Sequence, residues 1–197
     1  MRSASFDRSE VIDKIMNAFW ENGYEATSIQ VLEAATGLKR QSLYNAFGNK
    51  DAMFKLANER YHSEVSTRLL ARLDQDDPRQ ALTDFLAAQL EVLIDDSQPS
   101  GCFVAGGQQE LANRSDSALG DQMVALIGEQ YEELVAAFER WKGEGKLTSD
   151  ADPEALASVI MSLLRGQSVL GRTEVSRPII TKSAATLPSL MERYLVS

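Results

Sequence analysis

Apolar residues recur at three- and four-residue intervals along almost the whole chain, and no segment alternates apolar with polar over a strand's length. Ile12, Ile15, Met16 and Phe19 form one such stripe; Leu82, Phe85, Leu86 and Leu93 a second; Met123, Leu126, Ile127, Leu134 and Phe138 a third. That period commits the chain to an all-α fold, because a helix-spaced stripe used as a strand would turn half its apolar side chains to water. Start and stop signals cut the pattern into pieces. Asp7 with Glu10 and Thr27 with Gln30 read as capping boxes, while Asp77-Pro78 and Asp152-Pro153 each place a cap before a first-turn proline. Gly23, Gly48, and Gly143 with Gly145 read as ends. The expectation is about nine helices, at 8–22, 28–36, 39–47, 50–73, 78–96, 102–113, 117–142, 153–172 and 178–196. Pro188 falls inside the last and should kink or split it.

The first three helices are short and the rest longer. This suggests an N-terminal domain at 1–48, followed at 49–197 by a helical regulatory and dimerisation bundle that helix four joins to it. In 197 residues, 44% hydrophobic content suffices for a packed core without staples. Cys102 is the sole cysteine, so no intrachain disulfide can form, and a reducing, cytoplasmic setting is expected. No apolar stretch approaches the roughly 20 residues of a membrane span, and no membrane partner is expected.

Charge is spread unevenly. Twenty-nine acids against 20 bases give −9, yet residues 1–60 are balanced, so the acidic excess lies C-terminal. From Ala34 to Lys50 there are three cations, Lys39, Arg40 and Lys50, and no acid. An acid-free patch on an acidic protein is the surface a polyanion can approach. Around it, residues 28–47 read as helix, tight turn at Gly37, helix. Leu32 and Leu43 can pack the two together, leaving Lys39, Arg40, Gln41, Tyr44 and Asn45 outward on the second. Arg and Lys match guanine edges, and Gln and Asn match adenine. Spacing alone also admits a plain αα-hairpin, with Tyr44 as a core aromatic.

These residues together resemble the tetracycline-repressor-like (TetR/AcrR-type) regulators of bacteria. The resemblance rests on Gly23, Thr27-Ser28, Gly37, Leu43-Tyr44, Phe47 and Lys50, in order and at spacing, and covers roughly residues 8–56. It implies a three-helix helix-turn-helix head and a homodimeric repressor binding a palindromic double-stranded operator. It also implies a small-molecule inducer of unspecified identity. With no phosphate loop, metal-ligand spacing or nucleophile elbow in the sequence, no cofactor, metal or enzymatic activity is expected. By the same resemblance Lys39, Arg40, Gln41, Tyr44 and Asn45 approach bases or backbone, while Thr27 or Ser28 and Lys50 contact phosphate. Two positions depart from the pattern. Glu33, four residues before the turn glycine, replaces a small or apolar residue and must reach solvent or pair with a cation such as Arg40. Lys39 replaces the usual Ser or Thr cap of the recognition helix.

Later segments supply further candidates. Ala155, Ser158, Ser162 and Gly166 form a row of small residues beside Val159 and Leu163 that lets another helix come close; by the resemblance they form, with Ile180, Ala184, Leu187, Met191 and Leu195 of the last helix, the expected four-helix dimer interface. Against this stands a purely intrachain core. The resemblance also implies a small-molecule cavity in helices four to seven, for which Phe85, Gln89, Phe103, Gln108, Met123, Ile127, Tyr131 and Trp141 are candidates, an apolar wall with a few polar groups, against the alternative of plain core packing. Cys102, at a predicted helix start after an uncrowding Gly101, is a candidate thiol sensor. Two other classes stand against this one. An enzyme would need a base and an oxyanion site beside His62 and Cys102 that no motif supplies, and a helical interaction module without DNA binding remains the rival reading.

Overall fold

The computed structural model describes residues 6–111 and 118–196. The described residues form ten α-helices: α1 (Arg8–Ala26), α2 (Ile29–Thr36), α3 (Arg40–Phe47), α4 (Lys50–Tyr61), α5 (Thr67–Leu70), α6 (Pro78–Ile94), α7 (Phe103–Leu111), α8 (Ala118–Gly143), α9 (Pro153–Leu170) and α10 (Arg177–Met191). Among the described residues the one β contact is an antiparallel bridge between Leu147 and Leu195. The expected helix ends at 113 and 117 lie outside the described residues.

Caps explain most starts. Asp7 accepts from the amides of Ser9 and Glu10, Asp77 from Arg79, and Asp152 from Glu154 and Ala155. The expected box at Thr27 is displaced by one residue. Ser28 is the cap of α2 and accepts from Val31, whereas Thr27 is buried and donates its hydroxyl to Gly23 O at 2.6 Å. The cause lies upstream, at Gly23. With φ 78° and ψ 176° it breaks α1 in a conformation that an L side chain resists, and one further helical turn then carries Thr27 inward.

The expected helix 50–73 is interrupted. After Tyr61 the ladder loosens into a π turn at His62–Ser66, resumes as α5, and tightens into a 3₁₀ turn at Ala71–Leu73. The last helix is shorter than expected. It passes through Pro188 without splitting and stops at Met191, followed by a 3₁₀ turn at Glu192–Tyr194 and extended backbone at Leu195.

Two apolar clusters hold the helices together. In the first, Ile15, Phe19 and Trp20 of α1 pack with Leu32, Leu43, Phe54 and Tyr61, and then directly with Phe103, Leu111 and Met123 of α7 and α8. Phe103 stacks between Phe54 (5.2 Å) and Tyr61 (5.4 Å), and Trp20 meets Tyr61 edge-on at 4.9 Å. At about 1.5–3 kcal/mol per fully buried side chain, these contacts bind α1 and α4 to α7 rather than leaving the first helices as a separate bead. The second cluster joins Leu82, Phe85 and Leu86 of α6 to Leu134, Phe138 and Trp141 of α8, Ala157 and Ile160 of α9, and Ala184, Leu187 and Met191 of α10.

Candidate nucleic-acid interface and regulatory cavity

The turn between α2 and α3 is fixed by Gly37, which is left-handed (φ 74°) and donates its amide to Glu33 O at 2.9 Å. Leu32 and Leu43 are fully buried against the first cluster, so the opposite face of α3 is set outward. Arg40, Gln41 and Asn45 are exposed on it, with Lys39 just before and Tyr44 half-buried beneath. The Arg40 guanidinium lies 5.3 Å from the Tyr44 ring centre, a cation–π contact that orients it, and Gln41 donates to Asn45 Oδ1 at 3.0 Å.

Lys39 is the N-cap of α3 but makes no capping bond. The acceptor comes from α2 instead: Glu33 Oε1 takes the amide proton of Arg40 at 2.8 Å. Glu33 thus pairs with the backbone of Arg40, neither pointing idly to solvent nor pairing with the guanidinium. An acid survives beside the cationic face because its carboxylate is spent on a helix start, where the dipole favours negative charge.

At the flank, Asn49 caps α4 and Lys50 is its first residue. Lys50 Nζ donates to Glu25 O at 3.3 Å and lies 4.3 Å from the Tyr24 ring centre, so it is held over the α1–α2 turn next to exposed Ser28. Thr27 does not share that surface, since its side chain faces the core. Sequence reasoning missed Arg8, which donates to Ala46 O at 2.7 Å and covers the Phe47 ring at 4.6 Å, bracing the last turn of α3. An arginine at that helix's carboxyl end is favourable, yet nothing in its own neighbourhood of the sequence points to α3.

A second tie runs from α7. Glu110 accepts from the Glu25 amide at 2.8 Å, and its carboxylate occupies the space where a side chain on Gly23 would stand. Trp20 Nε1 donates to Gly101 O at 3.0 Å nearby. The turn that carries Ser28 and lies under the Lys50 side chain is therefore tied to the helix that follows the Cys102 loop.

Behind α4 lies a small cavity of about 40 Å³ between the π turn, α6, α8 and α9. Phe85, Gln89 and Cys102 line it, together with residues that periodicity did not single out, among them Tyr61, Gln130, Arg165 and Ser168. The other pocket candidates lie elsewhere. Phe103, Met123 and Trp141 are packed core, Trp141 donating to Gln75 O at 3.1 Å. Ile127 and Gln108 are partly buried outside the cavity, and Tyr131 sits on the α8–α9 seam against Ser158 at 3.2 Å. Cys102 is buried and its sulfur is 3.6 Å from the Tyr61 hydroxyl. Burial raises the Tyr61 pKa well above the usual phenol value, with the adjacent Cys102 adding to it, so the hydroxyl stays protonated. Gly101 is not uncrowded: a side chain there would meet Arg172 and Ser168 O.

On the far side, α9 leaves Ala155, Ser158, Val159, Ser162 and Gly166 exposed and Leu163 partly so. The face expected on α10 is turned the other way. Ile180, Ala184, Leu187 and Met191 are buried in the chain's own core, and Leu195 is occupied in the bridge to Leu147. Ile179 and Leu190 are exposed instead, beside Pro178 and Thr186 along a groove that Leu163 of α9 also lines. Both faces of α10 are apolar enough to bury, so periodicity could not say which one the bundle would take.

Residues 11–57 match the family model described as bacterial regulatory proteins, tetR family. The HTH-type transcriptional repressor ComR of Escherichia coli is 28% identical over 187 residues, covering 94% of this chain and 89% of that protein. An HTH-type transcriptional regulator of Bacillus subtilis, YezE, is 26% identical over 202 residues, covering 100% of this chain and 96% of that one. Among solved structures, a cysteine-substituted form of the TetR family regulator CifR complexed with 26 bp double-strand operator DNA superposes with a TM-score of 0.85 at 27% identity, covering 96% of this chain and 98% of that one. No described helix is long and apolar enough to cross a membrane.

Proposed function

We propose that this chain, a TetR-type DNA-binding regulator of transcription, acts as a homodimeric repressor whose grip on a palindromic operator is released by a small molecule bound among α4, α6, α8 and α9. The observation that carries the reading is the outward set of Arg40, Gln41 and Asn45 on a helix whose other face is locked by Leu43. A helix so mounted fits the major groove with its first turn toward base edges. Ser28 and Lys50, flanking it at helix starts, suit phosphate, because free amide donors and a point charge both favour an anion there. Residues 1–48 then serve as the reading head and 49–197 as the regulatory and dimerisation unit.

Dimerisation through the exposed faces of α9 and α10 supplies the two-fold axis a palindrome requires. Half-sites read this way lie about 34–36 Å apart or at multiples of that, so a modest pivot of the heads is enough to lose the fit. Two links lead from the bundle to the head: Tyr61, at the end of the helix that begins with Lys50, and Glu110 of α7, which accepts from Glu25 before the α1–α2 turn. Titration of the protein onto its own promoter region at several salt concentrations tests the reading. Sequence-selective, salt-dependent retention is expected; no retention of either promoter or scrambled duplex would leave only a helical interaction module, and equal retention of both would remove the operator-specific reading.

A further inference from the structure

The geometry points to a short aliphatic monocarboxylate, of two to four carbons, as the molecule this cavity accepts, with Arg165 as its anchor. This rests on the ligand-responsive reading above for its consequence at DNA, but not for the binding itself.

Arg165 projects from α9 into the cavity with its Nε buried and without a hydrogen-bond partner, while Nη2 donates to Gln130 Oε1. Leaving a guanidinium N–H away from water with no acceptor is costly, and the arrangement persists where an acceptor is meant to arrive. The usual internal solution, a neighbouring carboxylate, is missing: none of the thirteen lining residues is an Asp or Glu, in a chain that carries 29 of them. Nor does Arg165 belong to any ion pair among the described residues. A net positive, acid-free cavity selects an anion.

The remaining walls define the rest of the molecule. Leu69, Phe85, Leu134 and Met161 are apolar and suit an alkyl tail. Ser168 already donates its hydroxyl to Leu164 O at 2.7 Å, and the protonated Tyr61 hydroxyl faces the cavity from α4. A volume of about 40 Å³ corresponds to about three waters at 10–15 Å³ each, which favours the smallest acids and excludes a drug-sized ligand. A buried Nε–H without an acceptor is a directional donor, which suits a carboxylate oxygen better than a spherical anion. Leu70 and Gln130 also line a neighbouring open cleft of about 730 Å³ between the π turn and α8, whose other walls include Asp74, Glu129, Glu133 and Arg140.

The test uses the intact protein without DNA. Acetate, propanoate and butanoate are titrated calorimetrically at constant ionic strength beside their neutral amides, on wild type, Arg165→Gln and Arg165→Lys. One of the acids is expected to saturate a single site per chain at least tenfold more tightly than its amide. Arg165→Gln should abolish that preference and Arg165→Lys should retain part of it. Amides binding as tightly as acids, no acid saturating the wild type, or an undiminished acid preference in Arg165→Gln would each overturn the proposal. The wild-type acid–amide pair decides the matter even where a variant fails to fold. Promoter retention is measured separately, so a failure to bind DNA would strike the regulator reading and leave the calorimetry intact.

Discussion

Glu33 of α2 caps α3 by accepting the Arg40 amide at 2.8 Å, in place of the Ser or Thr that Lys39 displaces. The cap spans the turn, so it fixes the angle between the two helices as well as the start of the second. Glu33→Ala should therefore cost about 0.5–2 kcal/mol of stability, the worth of a lost cap, and weaken operator binding beyond that loss. Adding Lys39→Ser in the Glu33→Ala background should recover stability by restoring a local cap. Urea unfolding of the single and double variants checks both statements.

Arg40 and Lys50 should fail in different ways. Arg40→Ala should cost about 1–3 kcal/mol on the operator and relax preference at one or two base pairs. Lys50→Ala should weaken operator and scrambled duplex alike and lower the salt slope by about 0.9. Titrations on both duplexes across a salt series separate the two; equal losses on both for Arg40→Ala would move it to the phosphate class.

Ile179→Glu with Leu190→Glu should yield monomers in light scattering while leaving the helical signal unchanged, because both side chains are exposed in the single chain. Ser162→Arg on α9 should do the same. Ile180→Glu, one residue away and fully buried, should instead unfold the bundle. A variant pair that stays dimeric would place the interface elsewhere.

Gly23→Ala should be destabilising by about 1–3 kcal/mol from backbone strain alone, before its methyl group meets Glu110. Glu110→Ala removes no apolar packing of note, so its effect should fall on the α1–α2 turn. Faster hydrogen exchange at the Glu25 amide and weaker operator binding are expected, with a melting temperature close to wild type. Unchanged exchange at Glu25 would show that the tie is not maintained in solution.

The helical class, most helix limits and the outward residues of α3 were legible because each depends on neighbours in sequence: caps, turn glycines and a 3.6-residue period. What escaped depends on contacts across the fold. The cap of α3 comes from seven residues upstream, and Arg8 reaches Ala46 across 38 residues. Thr27 read as a cap and turned inward because a glycine four residues earlier redirected the chain. In the bundle, an aromatic at helical spacing is core or cavity wall according to which helix lies opposite. Phe85 and Trp141 thus carry the same signal and occupy different places.

The π turn at His62–Ser66 adds one residue to a helix that would otherwise run evenly from Lys50 to Leu70. On a helical wheel one residue is about 100°, so the two halves of this rod are keyed a quarter-turn or more apart. Deleting a single residue there would lengthen nothing and break no cap. It would rotate Leu69 and Leu70 away from the wall they share with Tyr61, and the head would be geared to a different face of the bundle. A relative one residue shorter in this segment would thus present other side chains at the same place, and its ligand could not be inferred by matching letters position for position.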